Sequence, residues 1–161
     1  MDYLFDIFAS DWLAVIIISV LPWLELRGAI PYGVASGLDP VLVFLVATFA
    51  NVCIIYPLFI FLDWFFHLLS GLPLMGSIIE KTRVKAEPYV EKYGFIGLAL
   101  FVAVPLPGTG AYSGSLAAHI FGIKNKKALF AIMVGVVFAG IVITLLSTIF
   151  KGAADWALKT I

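Results

Sequence analysis

Apolar residues fall into four long blocks along the chain, and the blocks are of two kinds. Residues 41–62, VLVFLVATFANVCIIYPLFIFL, run without a charge. As a helix this stretch measures about 33 Å, which matches a hydrocarbon core of roughly 30 Å. Residues 128–150, ALFAIMVGVVFAGIVITLLSTIF, form a second such run between Lys126, Lys127 and Lys151. The other two blocks are interrupted at their centres. Residues 12–38 contain LPWLELRGAIPYG, with Pro22, Glu25, Arg27, Gly28 and Pro31, and residues 95–123 contain VPLPGTGAYSG, with Pro105, Pro107, Gly108 and Gly110. Proline inside a helix removes a backbone donor and clashes with the preceding turn, at about 3 kcal/mol. Each interrupted block is therefore predicted to be two half-helices around an irregular turn. Half-helices of about ten residues are too short to cross a bilayer, and irregular backbone at that depth is tolerated only against protein or a wet cavity. Re-entrant hairpins are expected; two kinked, spanning helices are the competing arrangement.

The order of elements repeats: an interrupted block, then a clean span. The fold class expected is an all-α integral membrane protein of two inverted-topology repeats, each a re-entrant helical hairpin plus a transmembrane helix. The first repeat takes residues 12–66, with its span at 41–62. A connector follows at 67–94, then a second repeat at 95–150 with its span at 128–150, and a tail at 151–161. Aligning LRGAIPYGVASG with GTGAYSGSLAAHIFG sets Gly28 and Ala29 against Gly110 and Ala111. Lys81, Arg83, Lys85, Lys92, Lys124, Lys126 and Lys127 gather on the connector side, against Lys151 and Lys159 on the terminal side. The bias places the connector in the cytoplasm of a cell-membrane protein and both termini outside. Within the connector, IIEKTRVKAEPYVEKYG reads either as an amphipathic interfacial helix interrupted near Pro88 or as a solvated linker.

Composition sharpens this picture. The chain has 161 residues, of which 63% are apolar and 12% charged, and no ordinary water-soluble domain is built that way. Ten basic and ten acidic residues give no net charge, so no basic surface is offered to nucleic acid. Cys53 cannot close an intramolecular disulfide, and its apolar surroundings predict a buried, inert thiol. The opening MDYLFDIFASDW holds Asp2, Asp6 and Asp11 and no basic residue, so it reads as mature sequence rather than a cleaved leader. Trp12, Trp64 and Trp156 lie near block ends as an aromatic belt would, and Trp23 does not.

Glu25 and Arg27 are the strongest chemical signal, because ionisable residues at membrane depth are costly unless paired or hydrated. On a helix, residues two apart point apart; in an irregular turn both could face one cavity. Arg27 suits an anion, ideally a phosphate, held by forked hydrogen bonds, with Glu25 as a proton or cation carrier; the competing reading is a charge pair that pins the hairpin. In the second hairpin, Pro107, Gly108, Thr109 and Gly110 precede a half-helix whose N-terminal donors suit a phosphate, with Pro105, Ser113 and Ser115 in support. Tight helix packing explains the same glycines equally well, and it is sufficient for Gly135, Ala139 and Gly140. Asn51, midway along the first span, is expected to tie a hairpin turn in place together with Pro22. Ser115 and His119 share a helix face without a visible orienting acid, so an enzyme is disfavoured. His67, His119 and Cys53 lack ligand spacing, and neither metal nor cofactor is expected.

At LPWLELRGAIPYG and PLPGTGAYSG the chain resembles the small multidrug export proteins of prokaryotic membranes, over most of its length. That family in turn looks like a distant branch of the DedA/VTT superfamily, whose resemblance implies paired re-entrant hairpins and movement of polyprenyl phosphates or phospholipids. It implies that Glu25 and Arg27 occupy the first hairpin's charged motif and Pro105 to Gly110 the second hairpin's turn. DedA proteins typically carry arginine in the second hairpin, where this chain has Thr109 and glycines. The leading expectation is a transporter that flips a polyprenyl phosphate or other anionic lipid, with protons as a candidate driving ion. A proton-coupled exporter of small amphipathic compounds is the alternative. A non-transporting assembly protein that binds partners through Gly135 and its neighbours is a further one. Membrane lipids are the expected partners, and a homodimer is plausible for so short a chain.

Overall fold

Pro22 occupies a position where a turn has more use for proline than a helix has, and the first helix stops just before it. In the computed structural model, which describes residues 2–70, 73–106, 108–123 and 125–159, all regular structure among the described residues is helical. The elements are α1 (Asp2–Val20), α2 (Glu25–Ala35), α3 (Pro40–Ser70), α4 (Pro73–Ala103), α5 (Ala111–Phe121) and α6 (Asn125–Lys159). Both predicted interruptions are present. At the first, the Leu24 N–H donates to the Leu21 carbonyl at 3.3 Å, with Pro22 in the second turn position that its fixed φ suits. At the second, the Thr109 N–H donates to the Leu106 carbonyl at 3.2 Å. Gly108 takes φ +85° at the third position of that turn, as a type II turn requires. Pro107 itself lies outside the described residues.

The first interruption reverses the chain. Gly28 lies against Ile18 and Gly33 against Val15, and the Tyr32 hydroxyl donates to Asp11 at 2.8 Å, so later residues of α2 meet earlier residues of α1. α1 and α2 are thus an antiparallel helical hairpin, and α5 packs on α4 after the second interruption. The returning helices have 11 residues each, about 16 Å. The leading helices are longer than ten-residue arms, because α1 extends back to Asp2 and α4 carries the connector with it. Their apolar parts, Ser10–Val20 and Lys92–Ala103, have the expected arm length.

α4 runs unbroken past Pro88, where an interruption was expected. Pro31 and Pro57 likewise sit inside continuous helices. Asp39 and Pro40 start α3 in the usual way: the Asp39 carboxylate accepts the N–H groups of Val41 and Leu42 at 3.0 and 2.9 Å, and proline fills the first helical position.

Among the described residues two helices are long and apolar enough to cross a bilayer, within Pro40–Leu68 and Lys126–Asp155. Only 28% and 39% of their most apolar stretches is buried. The core helix of a soluble protein would be mostly covered; these leave Phe49, Tyr56, Ile60, Phe138, Leu145 and Ile149 bare, and lipid is the solvent that accepts such a face. The chain is a membrane protein. The same reasoning corrects the expectation for Cys53, which is exposed on α3. In a lipid-facing helix both faces are apolar, so an apolar run does not separate inside from outside.

The chain forms two compact units, Met1–Asn51 with Val137–Ile161, and Val52–Val136. The first is built on Val15, Ile30, Val34, Val43 and Ala47, the second on Ile55, Val102, Ile132 and Val136. Small residues set the packing. In the first unit Gly140 lies against Phe44 and Thr48; in the second, Val102 fills the space left by both Gly114 and Gly135. Gly135 is therefore occupied from within the chain, which removes it as a docking surface for a partner protein.

Asn51 is placed as the sequence suggested. Its Nδ2 donates to the Ser19 carbonyl at 2.7 Å, one of the carbonyls that the end of α1 leaves without a helical partner. Asn51→Leu strands that carbonyl, and a loss of about 1–2 kcal/mol is expected in denaturant unfolding of the detergent-solubilised protein.

Candidate functional site

The first interruption delivers two charges to the start of α2. Glu25 adopts φ +46°, a left-handed conformation that costs a non-glycine residue about 1–3 kcal/mol. It is 5% exposed. Its carboxylate lies 3.5 Å from the Arg27 guanidinium, whose side chain is 20% exposed. Residues two apart on a regular helix would diverge; the turned backbone at Glu25 lets these two meet. The carboxylate also sits at a helix N-terminus, where partial positive charge favours it. Strain, burial and ionic pairing thus coincide at one position beside a chain reversal, the combination found where structure is subordinated to function.

The neighbouring candidates are used for packing. A Cβ on Gly28 would stand 2.9 Å from the Leu24 Cβ and 3.0 Å from the Ile18 Cγ2, so the glycine sets the approach of α2 to α1. Pro31 continues α2. On α3, within the same unit, the buried oxygens Thr48 Oγ1 and Asn51 Oδ1 have no hydrogen-bond partner among the described residues, leaving polar capacity in an otherwise apolar core. The Lys151 ammonium donates to the Val34 carbonyl at 2.6 Å and so caps the other end of α2.

The second interruption is organised by hydroxyls. Thr109 Oγ1 donates to the Val104 carbonyl at 2.6 Å and lies 2.9 Å from the Leu106 carbonyl. The Gly110 N–H, which the sequence suggested would be an unpaired donor, gives its proton to Ser113 Oγ at 2.8 Å, because serine at the third position of α5 reaches back over the turn. Gly108 is exposed with open space around it, Gly110 and Ser115 are buried, and Pro105 is half-buried. Gly114, rather than Gly110, occupies the place in α5 that Gly28 has in α2: each is the fourth residue of its helix and packs on the preceding arm. The letter alignment of Gly28 with Gly110 is thereby corrected.

Ser115 and His119 do not form a nucleophile and base. Ser115 Oγ donates to the Ala111 carbonyl at 2.6 Å, while His119 Nδ1 meets the Ser115 carbonyl at 2.8 Å. The acid that the sequence left unassigned is Asp63, whose Oδ1 lies 3.0 Å from His119 Nε2. Asp63 closes the apolar run 41–62, and nothing in its spacing points to a histidine 56 residues away.

Residues 25–142, which contain the Glu25–Arg27 and Asp63–His119 pairs and the Leu106–Thr109 turn, match the family model described as "Putative small multi-drug export protein". The chain belongs to that family. No curated protein and no solved structure matches it. The family's description as export proteins points to a transport role for the chain.

Proposed function

We propose that the chain exports small amphipathic compounds across the cytoplasmic membrane, driven by protons, with Glu25 as the coupling carboxylate and Arg27 holding it. The observation that carries this reading is the export-family match over residues 25–142. In this reading α1/α2 and α4/α5 are re-entrant hairpins, supported by returning helices of about 16 Å, half the thickness of a hydrocarbon core. An inverted repeat is supported by the composition of the two units. Each unit holds one hairpin, the start of its own long helix and the end of the other, and the division falls the same distance into α3 and α6. The connector lies in the cytoplasm and both termini outside, and a homodimer supplies the enclosure that one short chain lacks.

Movement of a polyprenyl phosphate or other anionic lipid is the second reading, favoured by a guanidinium set at the head of a short helix, where a phosphate could be gripped in a fork. The test is uptake by the full chain in sealed proteoliposomes. Ethidium should accumulate under an imposed proton gradient, and Glu25→Gln should abolish that accumulation while leaving lipid binding intact. Wild-type vesicles that ignore ethidium yet translocate a fluorescent polyprenyl phosphate would replace the export reading with the lipid one.

A further inference from the structure

The second unit contains a histidine–carboxylate pair with no part in the site above. His119 is 7% exposed on α5 and lies between the rings of Phe59 and Phe66, at centroid distances of 4.9 and 5.7 Å. The Asp63 side chain, on α3, is 52% exposed. The hydrogen-bond geometry favours one placement of the protons. Nδ1 faces a backbone carbonyl, which only accepts, so Nδ1 carries a hydrogen. Nε2 then faces a carboxylate oxygen at 3.0 Å. A bare ring nitrogen and a bare carboxylate oxygen are both acceptors and repel at that distance, so one further proton must lie between them, whichever atom holds it. The Nε2–Oδ1 hydrogen bond between α5 and α3 therefore exists only while that proton is present.

We propose that His119 and Asp63 form a one-proton latch joining α5 to α3, which closes when the pair binds a proton and opens when Asp63, on its exposed side, passes that proton to water. Among the described contacts, Asp63 on α3 is a titratable group that meets the ring, and α4 and α6 meet α5 at Gly114 through the uncharged Val102 and Ile132. The step is a simple proton transfer: the Nε2–H–Oδ1 proton leaves to water, and the pair is left as neutral imidazole and carboxylate, which move apart. α5 is the returning helix of the second hairpin, so its release converts proton loss into freedom of that hairpin. The use of this freedom in export rests on the function proposed above; the proton site does not.

Two measurements decide it. Nitrogen-15 NMR of the histidines in the full chain in nanodiscs should show His119 Nδ1 protonated throughout, and Nε2 losing its shared proton as the buffer is made progressively more alkaline. A ring with bare Nδ1, or an Nε2 signal unmoved by that change, overturns the latch. Asp63→Asn keeps the link, because the amide N–H can donate to Nε2, but it carries no proton to release. In Asp63→Asn vesicles ethidium binding should persist and gradient-driven uptake should fall to the level of empty vesicles. Undiminished uptake overturns the latch as a transport element. If wild-type vesicles fail to transport while the NMR titration behaves as described, the export reading falls and the proton site stands.

Discussion

Gly135→Leu is expected to prevent the chain from folding, seen as loss of the monodisperse detergent-solubilised species. Even a single added carbon has nowhere to go. A Cβ at position 135 would stand 2.6 Å from the Val102 Cβ and 2.7 Å from the Ala99 carbonyl oxygen, distances that side-chain rotation cannot relieve. Gly135→Ala should therefore cost about 1–3 kcal/mol through displaced backbone, and the larger leucine considerably more. Gly114→Ala makes a different collision, 2.5 Å from the Val102 Cγ2, with the next neighbour at an ordinary 3.4 Å. The second substitution Val102→Ala removes that methyl and should rescue Gly114→Ala, with a coupling of about 0.5–3 kcal/mol. It should not rescue Gly135→Ala, since the Cβ of residue 102 and the Ala99 carbonyl remain. Denaturant unfolding of the single and double variants measures all of these.

Arg27→Ala is expected to bring export to background and to destabilise the chain. Breaking a fully buried ion pair by removing one partner costs about 3–5 kcal/mol, and less is expected here because Arg27 is one-fifth exposed. Arg27→Lys separates the two transport readings. Lysine keeps a positive charge near Glu25 but loses the planar fork, so gradient-driven ethidium uptake should largely survive, whereas recognition of a lipid phosphate should be lost. The two assays run on the same vesicles, and stability measured in parallel separates a broken site from a broken fold.

The interruptions were legible in the sequence because proline and glycine restrict the backbone locally. Pro22 in the Leu21–Leu24 turn and Gly108 in the Leu106–Thr109 turn act where they stand. Pro31, Pro57 and Pro88 show the limit of that argument: the same residue also lies inside continuous helices, where one backbone bond is given up. The two helices long and apolar enough to span were legible from length and apolarity. The orientation of Cys53 was not, since in lipid the outer face of a helix is as apolar as the inner. Glu25 and Arg27 stood out as charges in an apolar block, but their pairing depends on a positive φ that the sequence does not signal. Asp63 and His119 were each visible and their association was not, because it joins two helices far apart in the chain. Asn51 was read correctly because an amide in the middle of a span has few ways to be satisfied.

One valine, filling the space left by two glycines on different helices, makes positions 102, 114 and 135 a single unit of exchange. A chimaera that takes residue 102 from one homologue and residues 114 and 135 from another risks either a void or a collision. Splicing between relatives should place its junctions before Ala99 or after Val136, so that the whole interlocked segment comes from one parent.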